Sequence, residues 1–492
     1  MSSLGQKARS AVIWNAGFNI FRDLMQFVVM LVLVRLLAPE AYGEFGLVTS
    51  ITGFISVFAV NNFLAHTLQV KSDEEAHFQD HFTAGAVLQI AMFMVTNLVA
   101  FALRWFPVYA PVAPLVHVMS VAFILDWPTQ LRYRMLERAM NFGRLRTLHA
   151  IGLVLTGIAA VSMAVLGAGT LALLLPGLLV TLPFIWDLFV RQRWRPTWAW
   201  SLKNYAPAWR FGVTRIGSGL TLNGRQLLES GVLSAVLGFA ALGMLNRSLG
   251  LAQIFCYKVA TQLISSIYPV LTRVEGGEAN TERVGGLVLR AVAWTVLPIA
   301  VLFGALAQPV VQTVYGTKWM EVVPLLPWAM AWGAGASLVH VCYMLLLARH
   351  LPRKCLVADL VTLVGTLLNL WLVLPLGMTS YLACLVGVQG VVVVLLLFWL
   401  RQSRAITWRG LSEALLPAAA AGSLAWLIAT MILRMASASG PDTFWLAVGW
   451  GMIFLVLYLG VLRVGFVRQL SALVYYCPGR RWLNRALILH AR

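Results

Sequence analysis

The sequence predicts an all-α polytopic membrane protein with about 14 transmembrane helices. We expect two six-helix lobes related by a repeat, followed by two extra C-terminal helices. Three observations predict this: an apolar composition, a series of long apolar segments, and a repeat at a fixed offset. Of the 492 residues, 60% are hydrophobic and only 11% are charged, and the mean hydropathy is +0.81. Soluble domains do not have this balance.

Fourteen apolar segments are long enough to cross a bilayer, which takes ~17–25 helical residues each. Their approximate limits are 10–37, 43–66, 81–105, 112–136, 147–168, 170–190, 211–237, 239–270, 285–313, 322–348, 355–376, 379–401, 411–435 and 443–464. The fifth and sixth are separated by a short Gly-Ala-Gly-Thr stretch at 167–170.

Lysine and arginine alternate between the two sides of the predicted membrane. With the N-terminus in the cytoplasm, 27 of the 37 cations fall in cytoplasmic segments, four fall on the other face and six lie within helices. Cytoplasmic loops carry such an excess, so we expect an even number of crossings with both termini inside. The net charge of +19 then faces anionic lipid head groups, and no nucleic-acid partner is expected.

A repeat is visible at an offset of 200 residues. Seven residues between Gly17 and Gly43 match seven between Gly217 and Gly243 without a gap. Transporters are often built from such repeats, with the site at the repeat interface. We therefore predict an N-lobe at 1–190, a cytoplasmic interfacial linker at 191–210, a C-lobe at 211–401, and helices 13 and 14 with a basic cytoplasmic tail at 402–492.

Two of the predicted helices carry polar stripes near the bilayer centre. The stripes are Asn15, Asn19, Arg22 and Gln26 on the first helix, and Thr214, Ser218, Thr221 and Arg225 on the seventh. A spacing of i, i+4, i+7 and i+11 aligns each set on one helix face. Because an arginine facing lipid at that depth costs ~2.5–3.5 kcal/mol, the stripes predict a cationic cavity that binds something anionic.

The candidate substrate-binding residues share polarity or positive charge inside the predicted membrane. They are Asn15, Asn19, Arg22, Gln26, Arg215, Arg225, Arg247 and Lys258. Arginine offers a forked set of donors that fits phosphate oxygens. Other readings stay open, since Arg215 lies where it can snorkel and Arg225 can pair with Glu229 four residues on. Arg290, about one turn inside its helix, is expected to snorkel.

The deepest acids, Asp23 and Glu229, are candidates for ion coupling, with a static role as arginine partners as the alternative. Asn61 and Asn62 are candidates for binding sugar hydroxyls, or for hydrogen bonds between helices.

No catalytic motif is present. The sequence lacks a P-loop, GxSxG, HExxH and any large external loop, and its five cysteines form no CxxC pair. We expect no enzymatic activity, no metal site, no disulfide and no cofactor.

The start of the chain resembles the polysaccharide transporter family of the multidrug/oligosaccharidyl-lipid/polysaccharide flippase superfamily. The resemblance lies in Lys7-Ala8, in Trp14, and above all in RLLAPEAYGEFGLV at 35–48. It implies a transporter in the bacterial inner membrane whose lobes open alternately to the two sides. The implied substrate is an undecaprenyl-diphosphate-linked oligosaccharide for O-antigen, lipopolysaccharide, capsule or exopolysaccharide, and the implied partners are membrane lipids and the polymerase and export machinery.

Three rival functions remain open. A peptidoglycan-precursor flippase and an ion-coupled exporter of small solutes would share the fold. A membrane glycan ligase or polymerase would need an external catalytic loop, which the sequence lacks.

Overall fold

The computed structural model describes residues 2–68, 70, 77–198, 201–272, 277–436 and 443–476, which form helices and turns without a strand. Thirteen helical stretches among these residues are long and apolar enough to cross a membrane. One of them, Gly219–Ser265, has 47 residues, about twice the length that one crossing needs. Its backbone leaves the helical region at Gly238 (φ 83°, ψ 170°), between the predicted seventh and eighth segments. The predicted all-α membrane fold is therefore confirmed.

The chain forms two compact units, unit 1 (Met1–Gly243) and unit 2 (Met244–Arg492). Unit 1 contains α1 Ser2–Leu36, α2 Pro39–Ile55, α3 Phe78–Leu103, α4 Ala113–Arg138, α5 Phe142–Val165, α6 Leu171–Arg191 and most of α7 Leu202–Ala252. Unit 2 contains the rest of α7, α8 Lys258–Thr272, α9 Gly277–Ala305, α10 Ala307–Val314, α11 Leu326–Ala348, α12 Pro352–Leu372, α13 Met378–Gln402, α14 Trp408–Ala436, α15 Thr443–Gly465 and α16 Val467–Tyr476.

Several turns follow from local sequence. Gly167 and Gly169 have φ values of +78° and +56°, which L side chains rarely adopt, and they separate α5 from α6 at the predicted place. The α6 stretch is irregular, with a 3₁₀ segment at Leu175–Thr181 and a π segment at Asp187–Arg191. Hydropathy detects the length of such a stretch but not these changes of helix type.

In unit 1, α2 and α7 cross at two glycines that the 200-residue repeat relates. A Cβ atom on Gly43 would stand 1.9 Å from the carbonyl oxygen of Phe239. A Cβ atom on Gly243 would stand 1.9 Å from the carbonyl oxygen of Pro39, the residue that the same offset relates to Phe239. The crossing is reciprocal, and only glycine allows the two backbones to come this close.

The end of α6 is held by a buried carboxylate. Asp187 is fully buried and accepts hydrogen bonds from Arg132 Nε at 2.7 Å and from Arg144 Nε at 2.9 Å. The two arginines belong to α4 and α5, so one carboxylate joins three helices. The charge count from the sequence placed both arginines among the cytoplasmic cations, and the structure shows that they bind a carboxylate in the protein interior.

The segment before α7 is attached to unit 1. The rings of Trp194 and Trp198 meet Phe82 edge-on, with centroids 4.8 and 5.4 Å away. Gln79 Nε2 donates to the carbonyl oxygen of Arg195 at 3.1 Å. These two tryptophans of the linker thus pack on α3 within unit 1.

In unit 2, α9 packs against α11 and α14, and α14 packs against α15. Arg290 on α9 is only 9% exposed and forms an ion pair with Glu413 on α14. The expectation that Arg290 snorkels is therefore wrong. A carboxylate on the neighbouring helix, which also binds Arg409, pairs with Arg290 inside the unit.

We expect Gly43→Ala to lower the thermal unfolding temperature of the detergent-solubilised protein, because the added methyl overlaps the Phe239 carbonyl and such overpacking costs ~1–3 kcal/mol. The control is Gly217→Ala, since a Cβ atom there meets nothing within 4 Å. A Gly43→Ala protein that unfolds at the wild-type temperature would contradict the close crossing.

We also expect Asp187→Asn to destabilise unit 1, because it leaves two arginines without their carboxylate, and breaking a buried ion pair costs ~3–5 kcal/mol. Chemical unfolding followed by tryptophan fluorescence measures the loss. The control is Asp359→Asn, where the exposed side chain accepts a 2.7 Å bond from Tyr343 that asparagine can keep. Equal effects of the two substitutions would show that Asp187 has no special role.

Candidate functional site

The first polar stripe borders the contact between α1 and α5. Asn15 Oδ1 accepts a hydrogen bond from Arg146 Nε at 2.6 Å. The Phe18 ring stacks on the His149 imidazole with centroids 5.4 Å apart, and the Arg146 guanidinium lies 5.1 Å from the Phe18 centroid. Arg146 therefore reaches from α5 to the predicted stripe.

Arg22 lies two turns further along α1 from Asn15. Its guanidinium is 3.1 Å from the Asp23 carboxylate, and the two side chains remain 35% and 30% exposed. Arg22 on α1 and Arg146 on α5 belong to two helices that pack against each other. We call Asn15, Arg22, Arg146 and His149 the α1/α5 cluster.

Arg146 was not among the predicted site residues, because it stands directly before the 147–168 segment and was counted with the cytoplasmic cations. In the structure α5 begins at Phe142, where the Asn141 side chain caps the helix by accepting the Arg144 amide at 3.2 Å. Arg146 is thus already inside α5, three residues before His149. The Asn-Phe-Gly sequence before Arg144 was the available signal, since asparagine is a favoured N-cap.

The other members of the first stripe lie on the same helix with fewer described contacts. Asn19 is half-buried and Gln26 is exposed.

The second stripe is described only in part. Arg225 Nη1 lies 3.3 Å from Glu229 Oε2, and the two side chains are 22% and 14% exposed. Thr221 Oγ1 donates to the Gly217 carbonyl of its own helix at 3.3 Å. The side chains of Thr214, Arg215 and Ser218 lie outside the described residues.

The remaining candidate cations, Arg247 and Lys258, belong to unit 2 and are half-buried. The Arg247 carbonyl accepts a bond from the Tyr315 hydroxyl at 3.2 Å. Lys258 begins α8 directly after a π segment at Gln253–Tyr257. Both residues therefore lie at or near an interruption of the helix.

Unit 1 also contains a polar cavity of about 620 Å³. Its polar lining includes Ser56, Asn61, Asn62, Asp126 and Asn223. Pockets for small ligands generally occupy ~300–1,000 Å³, so a short oligosaccharide segment fits this size class. Asn61 and Asn62 were candidates from the sequence, whereas Asp126 and Asn223 are brought to them by the packing of α4 and α7.

Hydrogen bonds orient the polar groups of this cavity. Asn61 Oδ1 accepts from Arg134 at 2.8 Å, and Asn62 Nδ2 donates to the Val57 carbonyl at 2.8 Å. Asn223 Nδ2 donates to the Gly219 carbonyl at 2.9 Å. The bond to Asn61 uses its oxygen, and the bonds from Asn62 and Asn223 use their amide nitrogens. The Asn61 amide nitrogen and the oxygens of Asn62 and Asn223 remain, so the lining offers both donors and acceptors.

Within the described residues, no group of three or more His, Cys, Asp or Glu side chains is placed to hold a metal ion. The cysteines Cys256, Cys342 and Cys355 are buried free thiols.

The fold is similar to that of two solved transporters. The lipid II flippase MurJ in an inward closed conformation aligns with a TM-score of 0.71 at 12% identity, covering 93% of this chain and 99% of that one. An inward-facing multidrug resistance MATE family transporter of the MOP superfamily aligns with a TM-score of 0.56 at 14% identity, covering 78% and 94%. At these identities the comparison shows the fold alone.

Two curated proteins are similar in sequence. The succinoglycan biosynthesis transport protein ExoT of Rhizobium meliloti (strain 1021) is 26% identical over 320 residues, which are 63% of this chain and 64% of that protein. The lipopolysaccharide biosynthesis protein WzxC of Escherichia coli (strain K12) is 22% identical over 336 residues, 66% of each. The chain thus spans just under two thirds of the length of these relatives.

A protein-family model described as "Polysaccharide biosynthesis protein" matches residues 32–324, which is more than half of the chain. This range begins just before the 35–48 segment on which the resemblance rested, and extends well beyond it. The chain belongs to this polysaccharide biosynthesis family, and it has a fold similar to those of MurJ and the MATE transporters.

Proposed function

We propose that this protein is a flippase that moves a polyprenyl-diphosphate-linked oligosaccharide repeat unit across the bacterial inner membrane by alternating access. The product supplies the biosynthesis of a surface or exported polysaccharide. Family membership and the names of ExoT and WzxC support the polysaccharide, and the fold shared with MurJ supports the flipping of a lipid-linked substrate.

The observation that carries the proposal is the α1/α5 cluster. Arg22 and Arg146 come from two helices that pack against each other, and Arg146 reaches Asn15 on the helix that carries Arg22. A diphosphate carries several oxygens that forked guanidinium donors bind well. The partial exposure of Arg22 leaves it accessible to a substrate. In this proposal Arg22 and Arg146 hold the diphosphate, while Asn15 orients Arg146.

The polar cavity supports the oligosaccharide part of the substrate. Its fixed amides and the Asp126 carboxylate suit the alternating donors and acceptors of sugar hydroxyls. The prenyl chain needs no polar site, because it remains in the lipid.

The other candidate residues keep a role within the proposal. The residues that stay candidates for contact with the diphosphate are Asn19, Gln26, Arg215 and Arg225 in unit 1, and Arg247 and Lys258 in unit 2. Asp23 and Glu229 each form an ion pair with an arginine, which favours static charge balance over ion coupling. We propose no enzymatic activity and place both termini in the cytoplasm, with polymerase and export machinery acting on the flipped product.

A peptidoglycan-precursor flippase is the rival reading. The similarity to the MurJ fold does not distinguish this function from our proposal, because both functions move a lipid-linked diphosphate. The family match and the relatives ExoT and WzxC favour the polysaccharide precursor.

We expect Arg22→Gln and Arg146→Gln each to lower polymer output about tenfold or more, since a hydrogen bond to a charged group contributes ~1.5–3 kcal/mol. Polymer and lipid-linked intermediate are measured in cells that depend on this protein, at matched membrane levels. The intermediate should accumulate on the cytoplasmic side.

Arg409→Gln is the control for both variants, because its side chain is 87% exposed and lies in unit 2. Full polymer output from both cluster variants would refute the diphosphate role of the cluster.

We expect Asn223→Leu to impair transport of the complete repeat unit more than transport of a carrier that bears one sugar, because in this proposal the longer glycan occupies the polar cavity. Uptake of both lipid-linked substrates into proteoliposomes measures the difference. An equal loss for both substrates would assign Asn223 to stability rather than to glycan binding.

A further inference from the structure

A second cavity of about 590 Å³ lies on unit 1, as an apolar groove between α5 and α6. Its walls include Ile151, Leu155, Leu182 and Trp186, which are 47%, 42%, 44% and 53% exposed. These residues belong to membrane-spanning stretches, so the groove opens towards the acyl chains of the bilayer. The groove shares no lining residue with the polar cavity, and none of its lining residues belongs to the α1/α5 cluster.

The two helices that form the groove, α5 and α6, pack closely against each other. A Cβ atom on Gly152 would stand 2.8 Å from Val180 Cα, so α5 and α6 are in backbone contact there. Thr156 Oγ1 also donates to the Pro176 carbonyl at 2.9 Å. These two contacts hold α5 and α6 together beside the groove.

One end of the groove is positively charged. Arg144 and Arg191 line it where α5 begins and α6 ends, and no acid lines the groove. The nearby Asp187 is fully buried and shared by Arg132 and Arg144, so this ion cluster keeps a net positive charge. Arg191 is exposed and adds a second positive charge.

The length of the groove matches one lipid leaflet. Arg144 and Leu155 are eleven residues apart on α5, or about 16 Å at 1.5 Å per residue. Half of a hydrocarbon core that is ~30 Å thick has nearly the same length. The exposed Trp186 indole lies on the wall near the charged end, as aromatic side chains do at membrane interfaces.

We propose that this groove is a binding site for an anionic phospholipid of the bilayer. The lipid phosphate binds Arg191 and the exposed part of Arg144, and one acyl chain lies along Ile151, Leu155 and Leu182. The positive end selects an anionic head group over a zwitterionic one. The site stabilises unit 1 at the end where α4, α5 and α6 share Asp187, and it does not depend on the proposed transport function.

Native mass spectrometry of the purified full-length chain tests this site, with phosphatidylglycerol, cardiolipin and phosphatidylcholine as probes. We expect the two anionic lipids to be retained over phosphatidylcholine. Arg191→Gln should weaken that retention about five- to tenfold. Leu155→Trp, which fills the groove, should remove it. Arg193→Gln, an exposed arginine two residues away that does not line the groove, should leave it unchanged.

Three results would overturn the proposal. One is equal retention of phosphatidylcholine by the wild type. Another is an equal loss in Arg191→Gln and Arg193→Gln, which indicates a diffuse cationic surface. The third is displacement of the anionic lipids by a polyprenyl phosphate at equimolar concentration, which assigns the groove to the substrate tail. Unfolding temperatures without added lipid verify that each variant is folded.

Discussion

A charged side chain inside a bilayer must be paired or must face water. This constraint determines where the arginines of this protein lie and which acids they contact. Asp187 is shared by arginines from two helices, and Arg290 meets Glu413 across a helix contact. These charges are buried and serve to join helices. Arg22 differs because it keeps a third of its side-chain surface exposed although Asp23 lies beside it. Arg22 is therefore more accessible to a substrate than the arginines that join helices within each unit.

Helix contacts in a membrane gain little from the hydrophobic effect, so close backbone approach becomes important. The reciprocal contacts of Gly43 and Gly243 show this within unit 1. Gly152 against Val180 is a second example, at the base of the lipid groove. The first pair fixes α2 against α7, and Gly152 fixes α5 against α6. The lipid groove between α5 and α6 thus depends in part on where a small residue occurs.

The helices themselves were predictable, because each needs about twenty apolar residues and these are visible in the sequence. The break between α5 and α6 at Gly167 and Gly169 was also predictable from turn chemistry. Arg146 was not found, since its role depends on a helix that begins five residues earlier than hydropathy suggested. Arg290 was misjudged because its partner Glu413 is 123 residues away. Asp126 and Asn223 meet only through tertiary packing, which a pattern along one helix does not contain. The boundaries of the two lobes remain a prediction.

The most direct measurement of the central claim is flipping by the purified protein in proteoliposomes. A fluorescent polyprenyl-diphosphate oligosaccharide is placed in both leaflets, and a membrane-impermeant reagent that modifies the glycan is added outside. The account predicts that the reagent reaches substrate from both leaflets when wild-type protein is present, and only the outer half when Arg22 and Arg146 are both replaced by glutamine. Protection of the inner half in the presence of folded wild-type protein would contradict the account.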